Sequence, residues 1–98
     1  ATCVPVNIGT ITSGTVTPNP QTQGPMPYYT NHGAHTLAVP ANPCTMVIEI
    51  TNGASAGAVT TSGYTKVTGS FTTTNGHKFL VDVTKSQTYS ALNIRPLQ

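Results

Sequence analysis

The stretch Met46-Val47-Ile48-Glu49-Ile50-Thr51-Asn52-Gly53 decides the fold class. Met46, Ile48 and Ile50 alternate with Val47, Glu49 and Thr51, which is the two-residue period of a strand with one apolar and one mixed face. Asn52-Gly53 accepts φ > 0, so the pattern predicts a tight turn at the end of this strand. Working outward, the same period returns on both sides. His35, Leu37 and Val39 alternate with Thr36 and Ala38 before Pro40 and the Ala41-Asn42-Pro43 break. Downstream, Phe71 opens a run that ends at Asn75-Gly76. Phe79, Val81 and Val83 then alternate with Leu80, Asp82 and Thr84, which predicts a hairpin. In a last strand Leu92 and Ile94 point inward and Asn93 and Arg95 outward, and Pro96 ends it. Weaker strand signals lie at Val59, Thr61, Tyr64, Lys66 and Thr68, broken at Ser62-Gly63.

Composition agrees with this reading. Nineteen Thr, six Ser, nine Gly and eight Pro in 98 residues favour strands and turns over amphipathic helix. The expected fold is all-β: a small antiparallel β-sandwich or jelly-roll-like body. Residues 17–27 read Thr-Pro-Asn-Pro-Gln-Thr-Gln-Gly-Pro-Met-Pro, a run whose prolines favour an extended linker rising about 3.1 Å per residue. Residues 1–27 are therefore expected to form an extended Pro-rich N-terminal arm and linker, and residues 28–98 the β-sandwich domain. Within the arm, Val4, Val6 and Ile8 alternate with Pro5 and Asn7 as a short edge strand, because Pro5 cannot donate to a ladder. The tripeptide Thr-Asn-Gly at Thr51 and Thr74 is common enough in a Thr-rich chain that no internal repeat is expected from it.

Charge is sparse and segregated. Charged residues make up 6% of the chain, and all of them, Glu49, Lys66, Lys78, Asp82, Lys85 and Arg95, follow residue 48. With a net charge of +2, binding driven by phosphate neutralisation is not expected, so nucleic acid is excluded as a partner. No apolar run approaches the roughly 18 residues of a membrane span, and neither a membrane partner nor a signal segment is expected. The neutral first half carries Val4, Val6, Ile8, Ile11, Val16, Leu37 and Val39 in place of charge. Such a segment is suited to being covered by another surface. Val4, Val6, Ile8, Ile11 and Val16 are accordingly the candidate contacts with another protein surface or a neighbouring subunit, and a body this small gains from neighbouring subunits.

Other sites are weaker. Tyr28 and Tyr29 form a candidate surface-binding pair, since exposed aromatics supply contact area at small entropic cost. Cys3 and Cys44 are a candidate disulfide, worth roughly 3–4 kcal/mol in the chain-entropy view; the alternative is two thiols packed as small hydrophobes. His32 and His35 are three apart, with His77 distant, a spacing that splits a strand pair between faces, so no metal is expected. Glu49 and Asp82 are the only carboxylate side chains and read as polar strand positions. With no nucleophile-elbow, Walker, CxxC or HExxH motif, neither catalysis nor a cofactor is expected.

The runs Ile-Thr-Asn-Gly-Ala-Ser-Ala-Gly-Ala-Val-Thr-Thr-Ser-Gly-Tyr-Thr-Lys-Val-Thr-Gly from Ile50, Thr-Thr-Thr-Asn-Gly-His-Lys-Phe-Leu-Val-Asp-Val-Thr from Thr72, and Ala-Leu-Asn-Ile-Arg-Pro-Leu-Gln from Ala91 resemble small β-rich virion proteins of tailed bacteriophages. These are the head decoration, head fibre and tail-fibre-like proteins. The resemblance covers residues 47–98. It implies a structural virion protein present in many copies, often as a trimer, anchored through an N-terminal segment to the major capsid protein or other virion proteins. The alternative expectation is an adhesin-like, glycan-binding module of a fibre or secreted protein, using Tyr28 and Tyr29.

Overall fold

The computed structural model describes residues 4–98. The deciding stretch lies in the longest strand, β5 in an order that runs β1 (Asn7–Ile11), β2 (Thr15–Val16), α1 (Pro20–Gln23), β3 (Tyr28–Asn31), β4 (His35–Ala38), β5 (Cys44–Asn52), β6 (Val59–Ser62), β7 (Lys66–Thr68), β8 (Lys78–Lys85) and β9 (Ser90–Pro96). Alternation sorts the side chains as expected. Met46, Ile48 and Ile50 of β5, Phe79, Val81 and Val83 of β8, and Leu92 and Ile94 of β9 are all buried. These three strands form an antiparallel meander, with Ile48 opposite Val81 and Val81 opposite Ile94.

The fold is all-β, and its strand pairing is mixed where antiparallel order was expected. A six-stranded sheet runs β1-β3-β5-β8-β9-β7 and a three-stranded sheet runs β2-β4-β6. The pairs β1–β3, β3–β5, β2–β4 and β4–β6 are parallel. The chain from Asn7 to Ser62 therefore winds like a solenoid. Each of three coils lays one strand in the larger sheet, turns a corner, and lays the next in the smaller sheet. A two-residue period tells which side chains share a face but not the direction of the neighbouring strand, which is why the sequence pattern left the parallel coils unseen.

The coils lie close together at their corners. A Cβ at Gly33 would overlap the backbone of Thr12 one coil earlier, and a Cβ at Gly57 would overlap Gly33 and Ala34. Only glycine permits that approach. A pair of buried amides spans the same corner. The Asn31 Oδ1 accepts from the backbone N–H of Gly33 and Gly57, both at 3.2 Å, and its Nδ2 donates to the Gly57 carbonyl at 2.9 Å. The same Nδ2 reaches Asn52 Oδ1, 21 residues on, at 3.4 Å. The Asn52 Nδ2 donates in turn to the carbonyls of Thr72 at 2.7 Å and Thr74 at 3.1 Å. Asn52-Gly53 is thus not the predicted φ > 0 hairpin turn, because its amide is drawn inward as a rung and Gly53 has no positive φ. Asn75-Gly76 does turn, with the His77 N–H donating to the Thr74 carbonyl. It feeds β8 from irregular chain, since the run from Phe71 forms no strand, and the predicted hairpin is replaced by the β8–β9 pair.

The segment expected as an extended arm contributes to both sheets. β1 pairs with β3 and β2 with β4, and Val16 and Pro18 are buried. In place of a polyproline linker, residues 20–23 make one helical turn. Asn19 caps it by accepting from the Gln21 N–H at 3.0 Å, and Pro20 occupies the first turn, where no donor is needed. Residues on both sides of the expected 27/28 boundary therefore lie in the same two sheets. Val16 and Leu37 from the smaller sheet join the buried residues of the larger in one core.

Candidate interaction surface

Charge follows the topology. The strands β1, β2, β3 and β4 lie at one flank of the two sheets and carry no charged side chain. All six charges sit on β5, β7, β8 and β9. At the neutral flank β1 and β2 are the outermost strands of their sheets, so one backbone edge of each has no neighbouring strand. Thr10 of β1 and Thr15 of β2 are exposed there, and Val4 just before β1 is 77% exposed. Edge strands of natural proteins are commonly blunted by lysine, proline or a bulge. Here β1 has Pro5 before it and a bulge between Asn7 and Gly9, but no charge. A groove of about 240 Å³ between the α1 turn and the β4–β5 connection is lined by Thr17, Pro18, Asn19, Pro20, Pro40 and Pro43 among others, and Lys85 donates to the Pro40 carbonyl beside it at 2.8 Å.

Of the predicted contact residues, the structure leaves Val4 outward. Ile8 and Ile11 are half-buried and pack against the core, Val6 is half-buried, and Val16 belongs to the core itself. The tyrosine pair divides because successive strand residues face opposite ways. Tyr28 is 37% exposed and remains a surface candidate, whereas Tyr29 is 1% exposed and cannot be one. The Tyr29 hydroxyl lies 2.8 Å from His35 Nε2, and His35 Nδ1 lies 2.9 Å from the Gly33 carbonyl. The carbonyl can only accept, so Nδ1 carries a proton, and in the neutral imidazole Nε2 then accepts from Tyr29. This inward pair was unforeseen; the alternation of Tyr29 with Asn31, another buried residue, is its signal. Of the candidate disulfide, Cys3 lies outside the described residues. Cys44 is half-buried at the start of β5, where burial pushes its thiol up against the pull of Lys85.

Burial also holds the hydroxyls of Tyr29 and Tyr64 protonated well above the usual tyrosine range. Tyr64 donates to the Ala38 carbonyl at 2.8 Å. Below about pH 10 both folded and unfolded chains keep these protons. Above it the unfolded chain releases protons that the folded chain retains, so stability falls as pH rises. Denaturant midpoints measured from about pH 8 to about pH 11 should drop at the alkaline end. The tyrosinate absorbance of these two residues should appear together with unfolding. A midpoint that stays level through this window would mean that neither hydroxyl is sequestered.

The outer face of the six-stranded sheet is the second surface. One row crosses it as Tyr28, Glu49, Leu80 and Arg95 on four adjacent strands, and the next holds Val47, Asp82 and Asn93. A groove of about 170 Å³ runs between Met26, Tyr28, Val47, Glu49 and Leu80. Arg95 donates to Asp82 at 2.9 Å, which is the one ion pair among the described residues. Comparison with protein-family models, with curated proteins and with solved structures finds no match to this chain.

Proposed function

We propose that this chain is a structural virion protein that decorates or projects from a bacteriophage capsid. It works as an oligomer, and its charge-free flank is the anchor. In this reading the stretch before Tyr28 lies against the major capsid protein or another shell protein while the charged strands face outward. The observation that carries it is the segregation of charge described above: a flank with two open strand edges and no ionic side chain. Two open edges that no charge guards are suited to being covered by another surface. The resemblance of residues 47–98 to phage decoration and fibre proteins supplies the class of partner.

The test places charge on the anchor without touching the core. Thr10→Lys combined with Thr15→Lys puts a lysine on each exposed edge position. With heads of the phage that encodes the chain, occupancy should fall about tenfold or more, because a desolvated unpaired charge costs several kcal/mol. Circular dichroism should remain that of the β-rich parent. Undiminished occupancy would sink the anchoring role. Binding of isolated monomers to glycans through Tyr28, with no affinity for heads, would favour the adhesin reading instead.

A further inference from the structure

The outward face of the six-stranded sheet carries charges that the described residues do not neutralise. Asp82 and Arg95 satisfy each other, but Glu49 on β5 and Lys78 on β8 have no ion-pair partner among the described residues. Glu49 stands opposite Leu80, and Lys78 opposite Thr51. The two charges are therefore diagonal neighbours on adjacent strands, about 7–8 Å apart at the backbone. Around Glu49 the surface is apolar: Tyr28, Val47 and Leu80 line the groove, together with Met26, which is 44% exposed.

We propose that this face is a two-fold contact between two copies of the chain, in which Glu49 of each copy receives Lys78 of the other. A two-fold interface must carry both halves of every contact on one patch, and this patch has an acid and a base side by side with apolar surface between the strands. The rotation that exchanges the two positions crosses the facing sheets at a steep angle, one of the two ways in which sheets pack. β5 and β8 run nine and eight residues and the other four strands three to seven. At ~3.3 Å per residue and ~4.8 Å between strands the face covers roughly 570 Å², the size of a small contact beside the ~800 Å² that each partner of a standard interface buries. The inference rests on the reading of the chain as an assembled unit, and it names the second copy as one of its partners.

Sedimentation equilibrium of the full chain tests it. Glu49→Lys and Lys78→Glu should each raise the dissociation constant of the dimer roughly tenfold, since each sets like charges against each other at the contact. The double variant E49K/K78E restores opposite charges and should return the constant to near the parent value. Circular dichroism of each variant checks that the fold is kept. If a single variant does not fold, Glu49→Gln and Lys78→Met each remove one half of the contact without repulsion and should raise the constant by a smaller factor, an unchanged constant in both overturning the proposal. A parent chain that stays monomeric at its highest soluble concentration overturns the proposal, as does a double variant no tighter than the singles. Attachment to heads is read separately through the Thr10 and Thr15 variants. A monomer that still attaches therefore refutes the two-fold contact and leaves the decoration role standing.

Discussion

Replacing Asn31 by alanine is expected to lower stability by about 3–4 kcal/mol, enough to leave much of a small domain unfolded. The side chain is fully buried, and its amide satisfies two backbone donors and one backbone acceptor from two different corners. Alanine leaves the N–H groups of Gly33 and Gly57 without a partner, and each orphaned buried group costs about 1–3 kcal/mol. Asn31→Asp separates the two roles. The carboxylate still accepts from both N–H groups, but its second oxygen faces the Gly57 carbonyl and Asn52 Oδ1 in a fully buried site, so its loss should match or exceed that of the alanine variant and should ease in mild acid, where the group is protonated. Urea unfolding followed by circular dichroism reads both. An alanine variant within about 1 kcal/mol of the parent would mean that the amide ladder does not hold the coils together.

Phe79→Ala is expected to cost about 4 kcal/mol, at the upper end for a single core position. Phe79 is wholly buried, stands opposite Ile50 in the β5–β8 ladder and meets the Phe71 ring edge-on at 5.3 Å and 69°. Its removal opens a void beneath one end of β8, between Ile50 of β5 and Pro96 of β9, where strands fixed by their ladders cannot collapse to fill it. Phe79→Leu should cost about 1.5 kcal/mol or less if filled volume dominates. A leucine variant nearly as damaged as the alanine one would shift the weight to the ring pair with Phe71. The half-buried Phe71 should tolerate alanine better than Phe79 does.

The inward sets of β5, β8 and β9 were legible because each is long enough for several periods of alternation, and a one-residue slip would turn every apolar side chain outward. Tyr28 and Tyr29 show the limit of that reading. Alternation says that one of two adjacent tyrosines is inside, and only the position of the core says which. The coils were illegible for a different reason. Their rungs are joined by residues 21 apart, as in Asn31 and Asn52, and the registers Asn7 to Tyr28 and Tyr28 to Glu49 repeat that spacing. The trace left in the sequence is Thr30-Asn31 echoed by Thr51-Asn52. It was hidden because Asn52-Gly53 imitates a hairpin turn, and the first coil carries Ile11 where the others carry asparagine. Prolines misled in the same way. Pro18, Pro20, Pro25 and Pro27 suggest extended chain by composition, yet a capping asparagine before Pro20 starts a helical turn.

Because the ionic side chains are confined to one side of the molecule, its two surfaces answer differently to the medium. Added salt shortens the reach of a Coulomb interaction to about 8 Å at physiological strength and to about 3 Å at 1 M, so a meeting through Glu49 and Lys78 loosens in brine. The flank formed by β1 to β4 has no ionic side chain to screen, and salts that drive apolar burial would leave intact or tighten any contact made through it. Dilution into low salt and transfer to high salt thus become two handles that act on different faces of the same small protein.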